Sequence, residues 1–154
     1  MDVMKALAER NDRLLGRKIR GKEVKRLRAE LGTLVPEWFV EMLRVYPLIG
    51  CYMTLSKKKD QSGEGVAMDW MEPDQVIGET LEMQPGVAAA KAGYLPVGIL
   101  QGLSDPYFLQ TRGGDDPPLV RISHEAVDSD GSLVESGVAI VCDRLSDFFK
   151  QAKY

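Results

Sequence analysis

His124 is the only histidine of this chain, and Cys51 and Cys142 are its only cysteines, so imidazole and thiolate chemistry must be built from three residues. A zinc site or a hydrolytic triad resting on several histidines cannot be assembled from one. The segment Gly102-Leu103-Ser104-Asp105-Pro106 begins like a nucleophile elbow. It places proline where the last glycine belongs, and its flanks read strand to strand instead of strand to helix. Gly63-Glu64-Gly65 has neither a third glycine nor a following Lys-Ser or Lys-Thr, which removes the dinucleotide fingerprint and the phosphate loop. Asp128-Ser129-Asp130-Gly131 carries too few acids for a calcium loop and reads as a turn built on Asp130-Gly131. Asp115 and Asp116 are adjacent in a turn and point apart, so they make a poor metal pair. A small enzyme would need a pocket that collects His124, Asp128 and Arg121 within hydrogen-bond reach. No catalytic, cofactor or metal site is expected.

What remains is charge. Residues 1–30 carry ten Lys and Arg against five Asp and Glu, while the rest of the chain carries ten against eighteen. A basic helical head therefore precedes an acidic body. Acids interrupt every basic cluster of the head and no aromatics interleave with it, which argues against direct nucleic-acid binding. Lys57-Lys58-Lys59 beside Asp60 reads as a solubilising turn. In the middle of the chain, Glu64, Asp69, Glu72, Asp74, Glu79, Glu82 and Asp105 are spread over strands, turns and a helix that could share one acidic face.

The elements that must position these groups follow from periodicity. Val3, Leu7 and Leu14 with Leu15, then Val24, Leu27 and Leu31, repeat at helical spacing, with Gly16 and Gly21 at the break. Gly32 caps the second helix. Pro36 starts a third, whose stripe of Trp38, Phe39, Met42, Leu43 and Tyr46 must stop before Pro47. Ile49–Leu55 and Val66–Trp70 then read as a hairpin around a polar, glycine-bearing loop. Pro73–Met83 reads as a helix with Asp74, Glu79 and Glu82 outward and Val76, Ile77 and Leu81 inward. Gly86–Gly93 is one helical turn or an ordered loop. Leu95–Leu100, Tyr107–Thr111, Leu119–Ser123 and Val138–Cys142 supply further strands, and Leu145, Phe148 and Phe149 give a closing helix its buried side. The expected architecture is a single α+β domain over residues 1–154, an antiparallel sheet of about five to six strands packed against N-terminal and C-terminal helices. Residues 1–19 form an added N-terminal helix. The two cysteines sit in apolar runs, as buried thiols of a reducing compartment do, and the chain lacks a signal-like or membrane-spanning apolar run, so a cytoplasmic location is expected.

Leu34-Val35-Pro36-Glu37-Trp38-Phe39-Val40-Glu41-Met42-Leu43 resembles the proline-initiated helix of the SUKH superfamily, which includes the fungal Smi and Knr cell-wall regulators and many bacterial toxin-immunity proteins. Tyr94-Leu95-Pro96-Val97-Gly98 is similar to that family's strand of aliphatic, proline, aliphatic and glycine residues, and Gly102–Leu109 to its glycine turn and following strand. Arg144-Leu145-Ser146-Asp147-Phe148-Phe149 resembles its closing helix. The resemblance covers residues 20–150. Gln101 and Ser104 depart from the family's usual residues around the glycine, and Tyr46–Gly50 lacks its asparagine-glycine style ending.

The resemblance implies a non-enzymatic protein-binding domain, an immunity protein that neutralises a polymorphic bacterial toxin, such as a nuclease, by docking on it. An acidic body would find the cationic groove of a nuclease quickly. On that reading the interface carboxylates are Asp69, Glu72, Asp74, Glu79, Glu82 and Asp105, with Trp70 and Tyr107 as aromatic anchors. Trp70 has a competing assignment to the core. The alternative is a constitutive regulatory or scaffold module of the same superfamily.

Overall fold

The computed structural model describes residues 1–100 and 104–154. The glycine turn expected around Gln101, Gly102 and Leu103 lies outside the described residues. Within them the strands form one antiparallel sheet in which sequence order is also spatial order: β1 (Tyr52–Leu55), β2 (Val66–Trp70), β3 (Tyr94–Ile99), β4 (Tyr107–Gln110), β5 (Leu119–Ile122) and β6 (Val138–Cys142). The sheet is curled. The turn after β1 reaches across to β6, where the Gln61 N–H donates to the Val141 carbonyl at 2.9 Å. The expected α+β fold is what the chain adopts.

The helices are α1 (Asp2–Ala8), α2 (Gly21–Leu31), α3 (Glu37–Val45), α4 (Pro73–Glu82), α5 (Gly86–Lys91) and α6 (Leu145–Gln151). Strand alternation sends Met53, Met68, Trp70, Leu95, Val97, Leu109 and Leu119 to one face, where they meet Leu7, Phe39, Met42, Phe148 and Phe149 in the main core. The opposite face carries a smaller core of Phe108, Val120 and Ile122, covered by Ala89 of α5 and by Ala126 from the β5–β6 connection.

Helix boundaries follow local chemistry. Gly32 takes φ of +55° at the end of α2, and α3 begins after Pro36 and stops at Val45, before Pro47. The Glu23 carboxylate accepts the Arg20 N–H at 2.9 Å at the start of α2. Asp116 opens α6 from a distance. Its carboxylate accepts the N–H (2.8 Å) and the hydroxyl (2.6 Å) of Ser146 at the helix N-terminus.

The N-terminal reading needs two corrections. Helix α1 ends at Ala8, so residues 1–19 are a short helix, a 3₁₀ turn and an extended segment instead of one helix. Leu14 is buried but Leu15, expected beside it, is 91% exposed, because beyond the helix consecutive residues point to opposite sides. The head is nonetheless packed on the body: Val3 and Leu7 are fully buried, α1 lies against α6, and Arg10 donates to the Ala152 and Lys150 carbonyls. The first strand is also shorter than its apolar run. Ile49 pairs with Arg17 in an isolated bridge and β1 begins only at Tyr52.

Both cysteines are buried and unbridged. Burial raises the Cys51 thiol and pushes that of Cys142 up to about 11, which keeps them as thiols. Among the described residues, no helix is long and apolar enough to cross a membrane.

Candidate interaction surfaces

Of the carboxylates expected to share one face, Glu72 and Asp74 are tied to arginines, Glu79 is buried, and Glu64 and Asp105 line one cleft. Arg17 is shared between Glu23 of α2 (2.7 Å) and Glu72, the residue preceding α4, and Arg26 pairs with Asp74. The basic head thus neutralises two of the six acids that were to face a partner, Glu72 and Asp74. Hydrogen bonds from Arg17 hold the Glu23 carboxyl down at about 2, and bonds to Glu23 and Glu72 raise the Arg17 guanidinium. Glu72 has a local role as well, its N–H donating to the Gln75 side chain (2.8 Å) in the first turn of α4. Asp69 is half-buried on β2, opposite Tyr52 on one side and Ile99 on the other. Glu82 is exposed at the end of α4.

Glu79 corrects the expected phase of α4. The helix packs against α2, α5 and β3 and buries Pro73, Val76, Ile77, Glu79 and Thr80, while Leu81, expected inward, is 48% exposed. Thr80 can take the core position because its hydroxyl donates to the Val76 carbonyl at 2.7 Å. Helix α5 closes over the other flank at Gly86, where a Cβ would fall 1.9 Å from the Glu79 carbonyl oxygen. Burial raises the Glu79 carboxyl, opposed by His124 and the Gly86 backbone, and its Oε1 has no hydrogen-bond partner among the described residues.

The two aromatic anchors are core. Trp70 is 2% exposed, stacks on Phe149 with centroids 5.5 Å apart, and directs its indole N–H at the Met53 sulfur (3.2 Å). Tyr107 is 4% exposed, its ring beneath the Arg121 guanidinium at 5.2 Å. Trp70 is enclosed in the main core, while Tyr107 borders a cleft with Glu64, Asp105 and Arg121.

Arg121, Asp128 and His124 do not combine either. Arg121 donates to Asp60 (3.0 Å), the Ser62 hydroxyl (2.8 Å) and the Gly65 carbonyl (2.9 Å), and pairs with Glu64 (3.0 Å). Asp128 accepts the N–H groups of Asp130 and Ser132, both at 3.1 Å, inside its own turn. His124 directs Nδ1 at the Asp105 carboxylate (2.6 Å), which also accepts the His124 N–H (3.1 Å). Sequence reading missed the Arg121 hub. One signal was there: Arg121 follows Leu119 at strand spacing, so it had to be a cation on the core face and needed a buried partner.

Four of the acids outside the ion pairs lie on the β5–β6 connection. Between Ser123 and Gly137 the chain carries Glu125, Asp128, Asp130 and Glu135 and neither Lys nor Arg. All four are exposed, and each lies outside the ion pairs formed among the described residues. The arm is ordered by its own chemistry. Val127 and Leu133 pair across a turn closed at Gly131 (φ +83°), and the Val134 N–H donates to the Ala126 carbonyl at 2.7 Å. Ala126 anchors the arm in the smaller core. Hydrogen bonding with Asp128 and Ser132 holds the Asp130 carboxyl at about 2. Asp105 borders the base of the arm through His124.

Comparison of the chain with protein-family models, with curated proteins and with solved structures yields no match.

Proposed function

We propose that the chain is a non-enzymatic protein-binding domain of the SUKH type, an immunity protein that docks on a cationic toxin domain. The observation that carries this reading is the β5–β6 arm, where Glu125, Asp128, Asp130 and Glu135 stand exposed and outside the ion pairs, Asp128 and Asp130 on a turn fixed by its own hydrogen bonds. The carboxylates of Asp128 and Asp130, held by backbone N–H groups of the turn, lose little side-chain and loop entropy when a cationic surface covers them. They also raise the encounter rate by an order of magnitude or more, about 10- to 1,000-fold at low salt. The SUKH part of the reading rests on the sequence resemblance of Leu34–Leu43, Tyr94–Gly98, Gly102–Leu109 and Arg144–Phe149. The interface moves from the mid-chain acids to the arm, with Asp105 retained at its border.

The test is affinity capture from a native lysate at low salt, with elution by rising salt. Recovery of one secreted-type protein with a basic C-terminal domain, lost when the four arm acids are replaced by lysine, is the expected result. Capture of several resident proteins, unaffected by those replacements, would sink the immunity reading and favour a constitutive scaffold.

A further inference from the structure

A cleft of about 470 Å³ opens between the ends of α2 and α4, helix α5 and the end of β4. Leu31, Leu34, Leu81 and Ala90 give it an apolar wall, and Glu30 and Arg112 stand on the same lining with opposite charge. Small-molecule sites occupy about 300–1,000 Å³ and pair an apolar wall with a few polar groups. Hydrogen bonds fix the shape of this one. The Thr111 N–H donates to the Gly93 carbonyl (2.9 Å), and the Thr111 hydroxyl faces the carbonyls of Leu34 (3.0 Å) and Gly93 (3.2 Å). The end of β4 is thereby tied to the 3₁₀ turn Gly32–Leu34 and to the residue before β3.

Arg112 is exposed but held in place. Its N–H donates to the Gln110 side chain (2.9 Å), and a terminal nitrogen donates to the Lys91 carbonyl (3.0 Å). Its aliphatic stem crosses Gly93, where a Cβ would fall 2.7 Å from the Arg112 Cδ. The guanidinium has further N–H donors to offer, and no carboxylate pairs with it among the described residues. Glu30 likewise forms no ion pair, since Arg26 and Arg28, the nearest cations in sequence, are engaged with Asp74 and Glu37. Glu82, Lys91 and Asp115, the further charges closest in sequence to the cleft residues, stand outside its lining.

We propose that this cleft binds a small zwitterion with an aliphatic body, an apolar amino acid or short peptide with free termini. Its carboxylate meets Arg112, its ammonium faces Glu30, and its aliphatic groups lie against Leu31, Leu34 and Leu81. The two charges select the occupant. A guanidinium offers a carboxylate two parallel donors. A purely anionic ligand meets Glu30 and a purely cationic one meets Arg112, so each carries a like-charge penalty that the zwitterion avoids. The cleft shares no residue with the β5–β6 arm, and the inference does not rest on the immunity reading.

The test titrates the isotope-labelled full chain with leucine, dileucine and trileucine, a series that varies the span between the two charges. The expected result is saturable binding of at least one member, with shifts of the Leu81 and Thr111 amide resonances. Amidating the C-terminus or acetylating the N-terminus of that member should each weaken binding by about tenfold or more, the worth of one charge-assisted hydrogen bond. Arg112→Gln should abolish the effect of amidation and keep that of acetylation, and Glu30→Gln should do the reverse. Absence of saturable binding by all three, shifts that avoid Leu81 and Thr111, blocked ligands that bind as well as free ones, or substitutions that leave both blocking effects intact would each overturn the proposal. So would self-association that Leu81→Asp abolishes, which would assign the cleft to a second copy.

Discussion

Arg121 and Asp60 form an ion pair 3.0 Å apart in which the Asp60 side chain is fully buried and that of Arg121 is 8% exposed. The pair joins the turn after β1 to β5 and holds the sheet in its curl. Removing one partner leaves the other charged in a dry site. Arg121→Ala or Asp60→Ala should therefore cost about 3–5 kcal/mol in urea unfolding. Arg121→Met with Asp60→Leu should cost clearly less than the sum of the single changes, since no buried charge is stranded.

Glu23 and Glu79 should bend the pH dependence of stability in opposite directions. Glu23 is held at about 2 by Arg17, below its ordinary value, so its stabilisation is complete above about pH 4.5 and is lost as pH falls toward 2. Glu23→Gln should flatten acid unfolding in that window. Glu79 is raised by burial, so it costs stability as pH rises through the ordinary carboxylate range toward its raised value. Glu79→Gln should leave stability unchanged in acid and raise it at neutral pH. Chemical denaturation of both variants between pH 2 and pH 8 checks the signs.

Glycines should separate by what a methyl would meet. At Gly16 it falls 2.3 Å from the Ile49 carbonyl oxygen and at Gly86 1.9 Å from that of Glu79, so alanine there must move backbone and should cost about 2 kcal/mol or more. At Gly98 the obstacle is the flexible end of Met68, at 2.5 Å, and the cost should be smaller. Gly78, inside α4, has no atom within 4 Å, and Gly78→Ala should stabilise by about 0.5–1 kcal/mol. Thermal melts of the four variants rank them.

Trp70→Ala should unfold the domain before it affects any partner. With the ring 2% exposed and stacked on Phe149, truncation costs about 3–5 kcal/mol. Trp70→Phe should keep most of the stability and leave partner affinity unchanged, as calorimetric titration would show.

Local signals in the sequence were enough to place α3, α4 and the strands other than the start of β1, because proline, glycine and side-chain alternation act within a few residues. Pro36 and Pro73 start the helices where expected, and the run Tyr107–Gln110 is a strand on both readings. Side-chain destinations were less legible. Thr80 replaced Leu81 in the core because a hydroxyl bonded to its own helix costs little to bury, and because α5 closes over the flank that Glu79 occupies. The site suffered most. Ion pairs join residues far apart in sequence, so nothing local announced that Arg17 and Arg26 would neutralise Glu72 and Asp74, or that Asp60 would leave its lysine-rich turn for Arg121, 61 residues away.

The most direct measurement is the association rate of the captured partner against ionic strength, for the unaltered chain and for a variant with Glu125, Asp128, Asp130 and Glu135 replaced by lysine. The account predicts a rate that falls steeply with salt for the unaltered chain, and for the variant one about tenfold or more slower at low salt with little salt dependence. Equal rates and equal salt slopes would contradict it.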